Sequence, residues 1–506
     1  MREKNQAITR LTQATWMTTG WWGTLGILCL ILAATAMVSP AQTDQTSSRA
    51  LSFITLANLD GTTGGNPDVK PLIQGTDGNL WGMTTDAGAN GGGTVFKMTP
   101  SGVLTTVYNL CALPNCADGS GGSGVVLGTD GNYYGISGGG TYGDGEVFKI
   151  TQFGVLTKLH NFNGSDGSAP VSHLIQGTDG DFYGTTILGG NLATCSGSGC
   201  GTVFKITPSG KLTTLYKFCS QPNCTDGAIP FDEVAEGLDG NFYGAAWQGG
   251  ANNFGVIYKV TSAGAFNVIY DFCSQSNCAD GANPLWLVPG TDGNFYGTTG
   301  YGGAYNSGTV FKITPRGGQT TLYSFCSQPD CTDGSTPLAG LELGSDGNFY
   351  GTTYYGGAGN NDGTVFQITP AGELTTLHSF NGEDGANPQG SMGQATNGKF
   401  YGATVFAGSS SDCTGGCGTI FGLSVGLRPF VETVPTSRKV GGTVLILGTN
   451  LTGATSVSFN GTPAMFSVAS STLIKALVPT GATSGFVTVT TPTGTVQSKV
   501  KFQVRP

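Results

Sequence analysis

The chain has 506 residues, of which 86 are glycine, and its hydrophobic and aromatic fractions of 38% and 10% are too high for a solvated low-complexity chain. Charged residues make up only 10%, and 22 Lys and Arg against 31 Asp and Glu leave a net charge of -9. An acidic chain repels a phosphate backbone on average, which excludes nucleic acid as an expected partner.

The first 41 residues have the three regions of a secretory signal. Three basic residues precede an apolar run at 21–38, and Ser39-Pro40-Ala41 follows as a cleavage site. We predict a signal peptide over 1–41 and a linker over 42–52, which places the mature protein outside the cytoplasm, secreted or in the cell envelope. The apolar run is almost long enough to span a bilayer, so the alternative is an uncleaved anchor, the one case in which the chain would contact a membrane.

A unit of roughly fifty residues then recurs seven times. Each copy contains an Asp-Gly or Asn-Gly step, which begins at Asp77, Asp130, Asp179, Asp239, Asp292, Asp346 and Asn397. An aromatic pair follows this step, except that the first copy has Leu80-Trp81. A copy reads as four short stretches of β-branched and aromatic residues, such as NFYGTT and GTVFKITP, separated by glycine-rich turns. This pattern predicts four strands per unit, with the aspartate as a turn residue in a tight hairpin.

The two ends of the repeat array favour a ring over an open stack. No LTTLYSF-like strand follows the last unit, whereas FITLANLDG, from Phe53 to Gly61, precedes the first. We predict an all-β fold: a seven-bladed β-propeller over 53–425 with four-stranded blades, whose N-terminal strand completes the last blade and hides two sheet edges.

The repeated GTDGNFYGTT, GTVFKITP and LTTLYSF segments resemble the GloVer type of tandem repeat over about residues 51 to 425. That resemblance implies an exported bacterial protein, in a family that often carries C-terminal anchoring or sorting modules. It implies no catalytic residue. The propeller prediction above depends on strand count and placement in this chain.

The composition changes after the repeats, and residues 429–506 are rich in Val, Thr and Ser in alternating patterns. We predict a separate immunoglobulin-like β-sandwich. The segments VSFNGTPA, LIKALVP and GFVTVTTPTG resemble the IPT/TIG fold. In exported bacterial proteins this resemblance implies a spacer or interaction domain, and the module has no dense basic patch for DNA.

Twelve cysteines follow the predicted signal, in six close pairs: Cys111 with Cys116, Cys195 with Cys200, Cys219 with Cys224, Cys273 with Cys278, Cys326 with Cys331, and Cys413 with Cys417. An even number of paired cysteines behind a signal indicates disulfide bonds. Zinc is the alternative, but no pair has the usual two-residue gap and no histidine lies nearby in the sequence.

The three histidines are the first residues to consider as candidates for catalysis. His160 and His378 replace the tyrosine of the TLY stretch, which predicts a structural role in an outer strand. His173 precedes the Leu174-Ile175 stretch and could reach one face of the ring. A single histidine supplies no acid–base pair, and the sequence shows no cluster of His and Glu, so we expect no catalytic residue.

We expect no cofactor, and calcium is the alternative. Loops between units repeat an Asn-x-x-Asp-Gly motif, and Asn223 with Asp226 and Asn277 with Asp280 are the candidate ligands. Two oxygens per loop are fewer than calcium needs, so the competing interpretation is an Asx turn, in which these side chains bind their own backbone.

Aromatic residues near turns are candidates for stacking on sugars: Trp81, Trp247, Trp286, Tyr301, Tyr305, Tyr354 and Tyr355. Tyr354 and Tyr355 are the least explained by packing between units. With His173 they are the predicted ligand-binding residues.

Together these features predict a non-catalytic extracytoplasmic or cell-surface binding or scaffold protein, with an unknown glycan or envelope protein as partner. The alternative is a propeller enzyme, a lyase or hydrolase acting on a polysaccharide or small molecule at the central channel. A channel lined by convergent carboxylates or by His173 would favour the enzyme.

Overall fold

Each repeat folds into one antiparallel sheet because its four stretches alternate with turns that hold glycine at positive φ. The turn after the inner strand shows the reason: Asp292 Oδ1 accepts from Asn294 N at 3.1 Å and Asp292 Oδ2 from Tyr296 Oη at 2.9 Å, and Gly293 has a φ of +78°. The predicted turn role of this aspartate is confirmed. The computed structural model describes residues 51–67 and 70–505, and the predicted signal peptide, with residues 42–50 of the predicted linker, lies outside them.

The described part of the chain contains seven repeat sheets, numbered here in chain order, each with an inner, second, third and outer strand. Sheet 1 contains Gly65–Pro67 and Ile73–Gln74, which both pair with Leu80–Asp86, then Thr94–Met98 and Leu104–Asn109. Sheet 2 contains Ser120–Leu127, Tyr133–Gly138, Glu146–Ile150 and Leu156–Asn161, and sheet 3 contains Ile175–Gln176, Phe182–Thr186, Thr202–Ile206 and Leu212–Lys217. Sheet 4 contains Ala235–Glu236, Phe242–Ala246, Val256–Val260 and Phe266–Asp271, and sheet 5 contains Ala282–Pro289, Phe295–Tyr301, Thr309–Ile313 and Gln319–Ser324. Sheet 6 contains Glu342–Leu343, Phe349–Thr353, Thr364–Ile368 and Leu374–Ser379.

Sheet 7 combines strands from both ends of the repeat region. It contains Gly393–Gln394, Phe400–Thr404 and Thr419–Ser424, and its outer strand is Ser52–Asn58, antiparallel to Thr419–Ser424. The predicted role of the N-terminal strand is therefore what the structure shows. Sheet 7 also contacts sheet 1, because Gln74 Oε1 accepts from Thr396 N at 2.8 Å and from Thr396 Oγ1 at 2.9 Å.

Aromatic rings on the second strands hold neighbouring sheets together. The pairs have ring centroids 3.8 to 4.4 Å apart: Trp81 with Tyr133, Tyr134 with Phe182, Tyr183 with Phe242, Tyr243 with Phe295, Tyr296 with Phe349, and Tyr350 with Phe400. Tyr401 of sheet 7 shares a buried cluster with Leu80 of sheet 1. The repeated aromatic pair is thus the packing element between sheets.

All six predicted cysteine pairs form disulfide bonds. Five short 3-10 turns in the described residues include a cysteine of these loops: Pro114–Cys116, Cys195–Gly197, Pro222–Cys224, Ser276–Cys278 and Pro329–Cys331. Disulfides persist in oxidising compartments, so this framework indicates an extracytoplasmic protein.

The C-terminal domain is a β-sandwich, as predicted. One sheet contains Glu432–Val434, Thr443–Leu447, Leu473–Leu477 and Phe466–Ser470, and the other contains Thr462–Pro463, Ser456–Phe459, Val487–Thr491 and Gly494–Gln497. Ser437–Lys439 and Gln503–Arg505 form a parallel pair. Val444, Ile446, Phe459, Ile474 and Val489 are among the side chains of its core.

Candidate functional site

The repeat units differ in the residues that lie within or just before their inner strands. The units align on Gly75, Gly128, Gly177, Gly237, Gly290, Gly344 and Ala395. Four residues earlier they have Pro71, Gly124, His173, Glu233, Trp286, Gly340 and Ser391, and five residues earlier Lys70, Ser123, Ser172, Asp232, Leu285, Ala339 and Gly390. Titratable side chains occur at these two positions in only three units, and the tertiary structure brings those units together.

Lys70, Asp232 and Trp286 form a buried cluster from sheets 1, 4 and 5. Lys70 Nζ donates to Asp232 Oδ1 at 3.3 Å and lies 3.9 Å from the ring centroid of Trp286. Asp232 Oδ2 accepts from Trp286 N at 3.3 Å. The Lys70 and Asp232 side chains are 2% and 6% exposed. Burial raises the pKa of Asp232, and the charge of Lys70 opposes that rise. The two charges are therefore tolerable only as a pair.

Glu233 and His173 extend this cluster. Trp286 Nε1 donates to Glu233 Oε2, and burial raises the pKa of Glu233 while Lys70 opposes the rise. His173 is buried, with Nε2 2.8 Å from Val125 O. A carbonyl can only accept, so Nε2 carries the proton when the ring is neutral. Burial lowers the pKa of His173 to about 4, which keeps the ring neutral at pH 7. We call Lys70, His173, Asp232, Glu233 and Trp286 the central cluster.

A central cavity of about 290 Å³ borders the central cluster. Glu233 and Trp286 line it directly, together with Glu236 and Glu342 from neighbouring sheets and Thr436 from the C-terminal domain. Glu233 is half-buried and lines this cavity, whereas Lys70 and Asp232 are buried and do not line it. Units distant in sequence supply the members of the central cluster, and the expectation of no catalytic residue stays a prediction.

The C-terminal domain packs against the repeat sheets near their Asp-Gly turns. Thr472 Oγ1 donates to Thr76 O at 2.8 Å, and Phe430 N donates to Thr396 O at 3.0 Å. Lys499 donates to the Glu342 carboxylate. Thr436 of this domain lines the central cavity. These contacts favour a covering domain over the expected spacer.

Tyr354 and Tyr355 lie at the end of the second strand of sheet 6. Their rings are 4.6 Å apart, and Tyr355 is 42% exposed. The same repeat position as Tyr354 holds Trp247 in sheet 4 and Gly300 in sheet 5. A side chain at Gly300 would collide with the Trp247 ring, so this glycine makes room for the indole.

Trp247 connects two exposed aromatic residues. Its ring centroid is 6.0 Å from that of Phe231 and 6.1 Å from that of Tyr301. Phe231 is 41% exposed and Tyr301 is 46% exposed. We call Phe231, Trp247 and Tyr301 the aromatic patch. Phe231 directly precedes Asp232, so the patch adjoins the central cluster.

Two of the aromatics considered for sugar stacking are buried. Trp81 is fully buried against Tyr133, and Trp286 is 4% exposed in the central cluster. The proximity of both residues to turns in the sequence was misleading, because the turns lie where sheets pack against each other. Tyr305 is 54% exposed, outside the aromatic patch.

The candidate calcium ligands bind protein donors. Asp226 accepts from Tyr216 Oη at 2.7 Å, Ser220 N at 2.8 Å and Gln221 N at 3.3 Å, and Asp280 makes the equivalent contacts in the next loop. Asn223 and Asn277 adopt positive φ values of +56° and +57° within the same turns. These contacts favour the turn interpretation. Calcium binding stays a prediction.

His160 and His378 occupy the outer strands, as expected. His160 Nε2 lies 2.9 Å from Asp166 Oδ2, and His378 Nε2 lies 2.8 Å from Asp384 Oδ2. The tyrosine at this position in other units donates to the equivalent aspartate, as Tyr216 does to Asp226. Both histidines thus replace a structural tyrosine.

Sequence reasoning singled out His173 but overlooked Lys70, Asp232 and Glu233, and it took Trp286 for an exposed residue. Comparison of the units at the positions four and five residues before the aligned glycine or alanine would have found Lys70, Asp232 and Glu233, since charged residues there interrupt two series of mostly small and apolar residues. The sequence offers no comparable signal for the covering role of the C-terminal domain.

No helix in residues 51–67 and 70–505 has the length and apolar character needed to cross a bilayer. No curated protein matches the chain. Among solved structures, virginiamycin B lyase from Staphylococcus aureus is 15% identical, with 74% of this chain and 99% of that chain covered and a TM-score of 0.49. A gluconolactonase from Xanthomonas campestris is 13% identical, with 74% and 89% covered and a TM-score of 0.37.

The extracellular domain of a hybrid two-component system from B. thetaiotaomicron is 12% identical, with 88% of this chain and 53% of that chain covered and a TM-score of 0.47. At such scores none of these likenesses assigns an activity. The family comparison is decisive. Residues 43–236, 115–284 and 194–421 match the Gloeobacter/Verrucomicrobia repeat, and residues 430–504 match the IPT/TIG domain. The chain belongs to the Gloeobacter/Verrucomicrobia repeat family and ends in an IPT/TIG domain.

Proposed function

We propose that this protein is an exported, non-catalytic binding protein that holds a neutral extracellular glycan on the aromatic patch of a closed, seven-bladed propeller. The aromatic patch carries this proposal, because it exposes the rings of Phe231 and Tyr301 on either side of Trp247. Exposed apolar clusters on a soluble protein mark interaction sites.

Three contacts support the closed ring. The outer strand Ser52–Asn58 completes sheet 7, Gln74 of sheet 1 accepts two hydrogen bonds from Thr396 of sheet 7, and Asn66 N donates to Cys417 O at 3.1 Å. A ring of this kind leaves few exposed sheet edges and presents a rigid face.

The chemistry of the patch suits a sugar. Aromatic rings combine a large apolar surface with little loss of side-chain entropy, and they stack on the C–H faces of a pyranose. The chain carries a net charge of -9, which disfavours an anionic polymer. A neutral glycan therefore fits better than an acidic one, and an envelope protein with an exposed apolar patch is the competing partner.

The test compares variants by calorimetric titration with soluble neutral polysaccharides selected on a glycan array. Trp247→Ala and Tyr301→Ala should each weaken binding roughly tenfold, the effect of losing one stacked ring. Phe153→Ala is the matched control, because Phe153 is 85% exposed in the turn between the third and outer strands of sheet 2, away from the aromatic patch. The proposal is wrong if the array is blank or if Phe153→Ala has the same effect.

Export is part of the proposal. The six disulfides support an oxidising compartment, and the N-terminal 41 residues have the pattern of a signal. Mass spectrometry of the protein from the culture medium should give a chain beginning at Gln42. A full-length chain found only in the membrane fraction would indicate the uncleaved anchor instead.

An enzyme is the second candidate, and the position of Glu233 favours it. Burial raises the pKa of this carboxyl, which faces the central cavity and lies beside His173 and Lys70. A carboxyl with a raised pKa can act as a general acid. Incubation with the polysaccharides that bind should release product in the wild type and not in Glu233→Gln if this candidate is correct.

A further inference from the structure

A second cavity lies where the C-terminal domain covers the inner strands. It measures about 290 Å³. Its polar lining includes Gln74, Glu342, Glu432, Thr433 and Lys499, and its walls include leucine, isoleucine, valine and proline side chains. We call it the junction cavity. It shares Pro71, Gln176, Glu342 and Thr436 with the central cavity, so the two cavities adjoin beside the inner strands.

Two buried polar atoms of the lining have no partner. Thr433 is 3% exposed and its Oγ1 makes no hydrogen bond, and Gln74 is 8% exposed and its Nε2 makes none. The orientation of the Gln74 amide follows from its other atom, because Oε1 accepts from both Thr396 N and Thr396 Oγ1. Buried polar groups are almost always hydrogen-bonded, so these two atoms indicate a partner that the protein does not supply.

The charged groups of the cavity are unbalanced. Lys499 pairs with Glu342. Within the described residues, no group donates a hydrogen bond to the Glu432 carboxyl, and burial raises its pKa while Lys499 opposes the rise. Two carboxyls against one ammonium disfavour an anionic ligand and favour a ligand with an amine.

We propose that the junction cavity binds a small hydroxylated amine of the amino sugar class. Its ammonium group would donate to Glu432, and its hydroxyl groups would accept from Gln74 Nε2 and exchange a hydrogen bond with Thr433 Oγ1. The apolar walls suit the C–H groups of a six-membered ring, and the volume is at the lower end of ligand cavities. This site is separate from the aromatic patch and does not depend on the function proposed above.

The test is calorimetric titration of the mature full-length protein with glucosamine, glucose and glucuronate in a buffer free of amines. Glucosamine should bind most tightly and glucuronate least. Glu432→Gln should weaken glucosamine binding about tenfold and reduce its preference over glucose, since a hydrogen bond to a charged group is lost.

Thr433→Val probes the same site without breaking a protein hydrogen bond, and it should weaken glucosamine binding severalfold. Ser437→Ala is the matched control, because Ser437 Oγ is also buried and unpartnered in this domain but does not line the cavity. Ser437→Ala should leave binding unchanged.

The proposal is wrong if glucosamine does not bind at about 10 mM, a concentration above the weakest useful dissociation constant. It is also wrong if glucuronate binds more tightly than glucosamine, or if Thr433→Val and Ser437→Ala have equal effects on glucosamine binding. A rise in the melting temperature of Thr433→Val with no change in glucosamine binding would also contradict the proposal, because the hydroxyl would then be buried without a ligand. A failure at the aromatic patch would leave these titrations unaffected, so the two proposals are separable.

Discussion

Lys70 of sheet 1 donates a hydrogen bond to Asp232 of sheet 4, with Nζ and Oδ1 3.3 Å apart, although 162 residues separate them in the chain. The two side chains are almost fully buried. This pair therefore links two distant repeats at the centre of the structure.

Removal of one partner should destabilise the whole repeat region. Lys70→Met leaves Asp232 buried without its counter-charge, and we expect a loss of about 3 kcal/mol in the free energy of unfolding. Urea denaturation of the wild type and of Lys70→Met measures this loss. The double variant Lys70→Met with Asp232→Asn should recover part of the loss. Equal stabilities of Lys70→Met and the double variant would show that the loss does not come from an unpaired Asp232 carboxylate.

Acid should destabilise the protein through His173. Burial lowers the pKa of His173 from 6.5 to about 4, so the unfolded chain takes up a proton at a pH where the folded chain does not. The free energy of unfolding should therefore fall by about 3 kcal/mol as pH drops from about 6.5 to 4. His173→Gln keeps a donor for Val125 O and should flatten this part of the profile. An unchanged slope in the variant would contradict the prediction.

A rise in pH should destabilise the protein through Glu146 in sheet 2. Five sheets have a pair of threonine hydroxyls at this position, such as Thr299 with Thr309 at 2.9 Å, whereas sheet 2 has Ser137 and Glu146. Both Glu146 carboxyl oxygens are buried without a partner, and burial raises the pKa of Glu146 to about 8.

The folded chain keeps Glu146 neutral while the unfolded chain ionises it near 4.5, so stability should fall as pH rises from about 4.5 to 8. Glu146→Thr restores the hydroxyl pair and should raise the free energy of unfolding at pH 8 by about 2 kcal/mol. The gain should be smaller at pH 4.5. Thermal unfolding at the two pH values measures the difference, and a pH-independent gain would contradict this assignment.

Truncation should show what the N-terminal strand contributes. Phe53 on this strand stacks on His378 of sheet 6 with centroids 3.6 Å apart and also packs against Phe421. A mature chain lacking residues 42–58 should melt at a lower temperature and aggregate, because Thr419–Ser424 becomes an open edge. A chain lacking only residues 42–50 is the control. Similar melting of both truncated chains would indicate that the strand is dispensable.

Chelation tests the calcium hypothesis against the turn interpretation. Asp226 accepts three hydrogen bonds from protein donors, so we expect excess EDTA to leave the melting temperature unchanged. Asp226→Asn should still cost about 1 kcal/mol, since an amide cannot accept at both atoms. A drop in melting temperature on chelation, reversed by added calcium, would establish a calcium site.

Much of this fold could be predicted because its signals are local. The Asp-Gly hairpins, the tyrosine or histidine facing an aspartate in the next loop, and the cysteine pairs all join residues within one unit. Each depends on short chain closures and on backbone conformations that glycine and Asn permit. The covalent pairs and the sheets therefore followed from the spacing of residues, and so did the use of the N-terminal strand in sheet 7.

The candidate site was harder to predict because it depends on contacts among distant units. The sequence by itself carries His173, Glu233 and Lys70 at two repeat positions that are otherwise mostly small or apolar. Only the tertiary structure decided that Lys70 meets Asp232, that Trp286 is buried against both, and that the IPT/TIG domain covers the sheets. Such contacts are set by the order in which sheets pack and by burial of charge, which are properties of the assembled molecule and not of any single repeat.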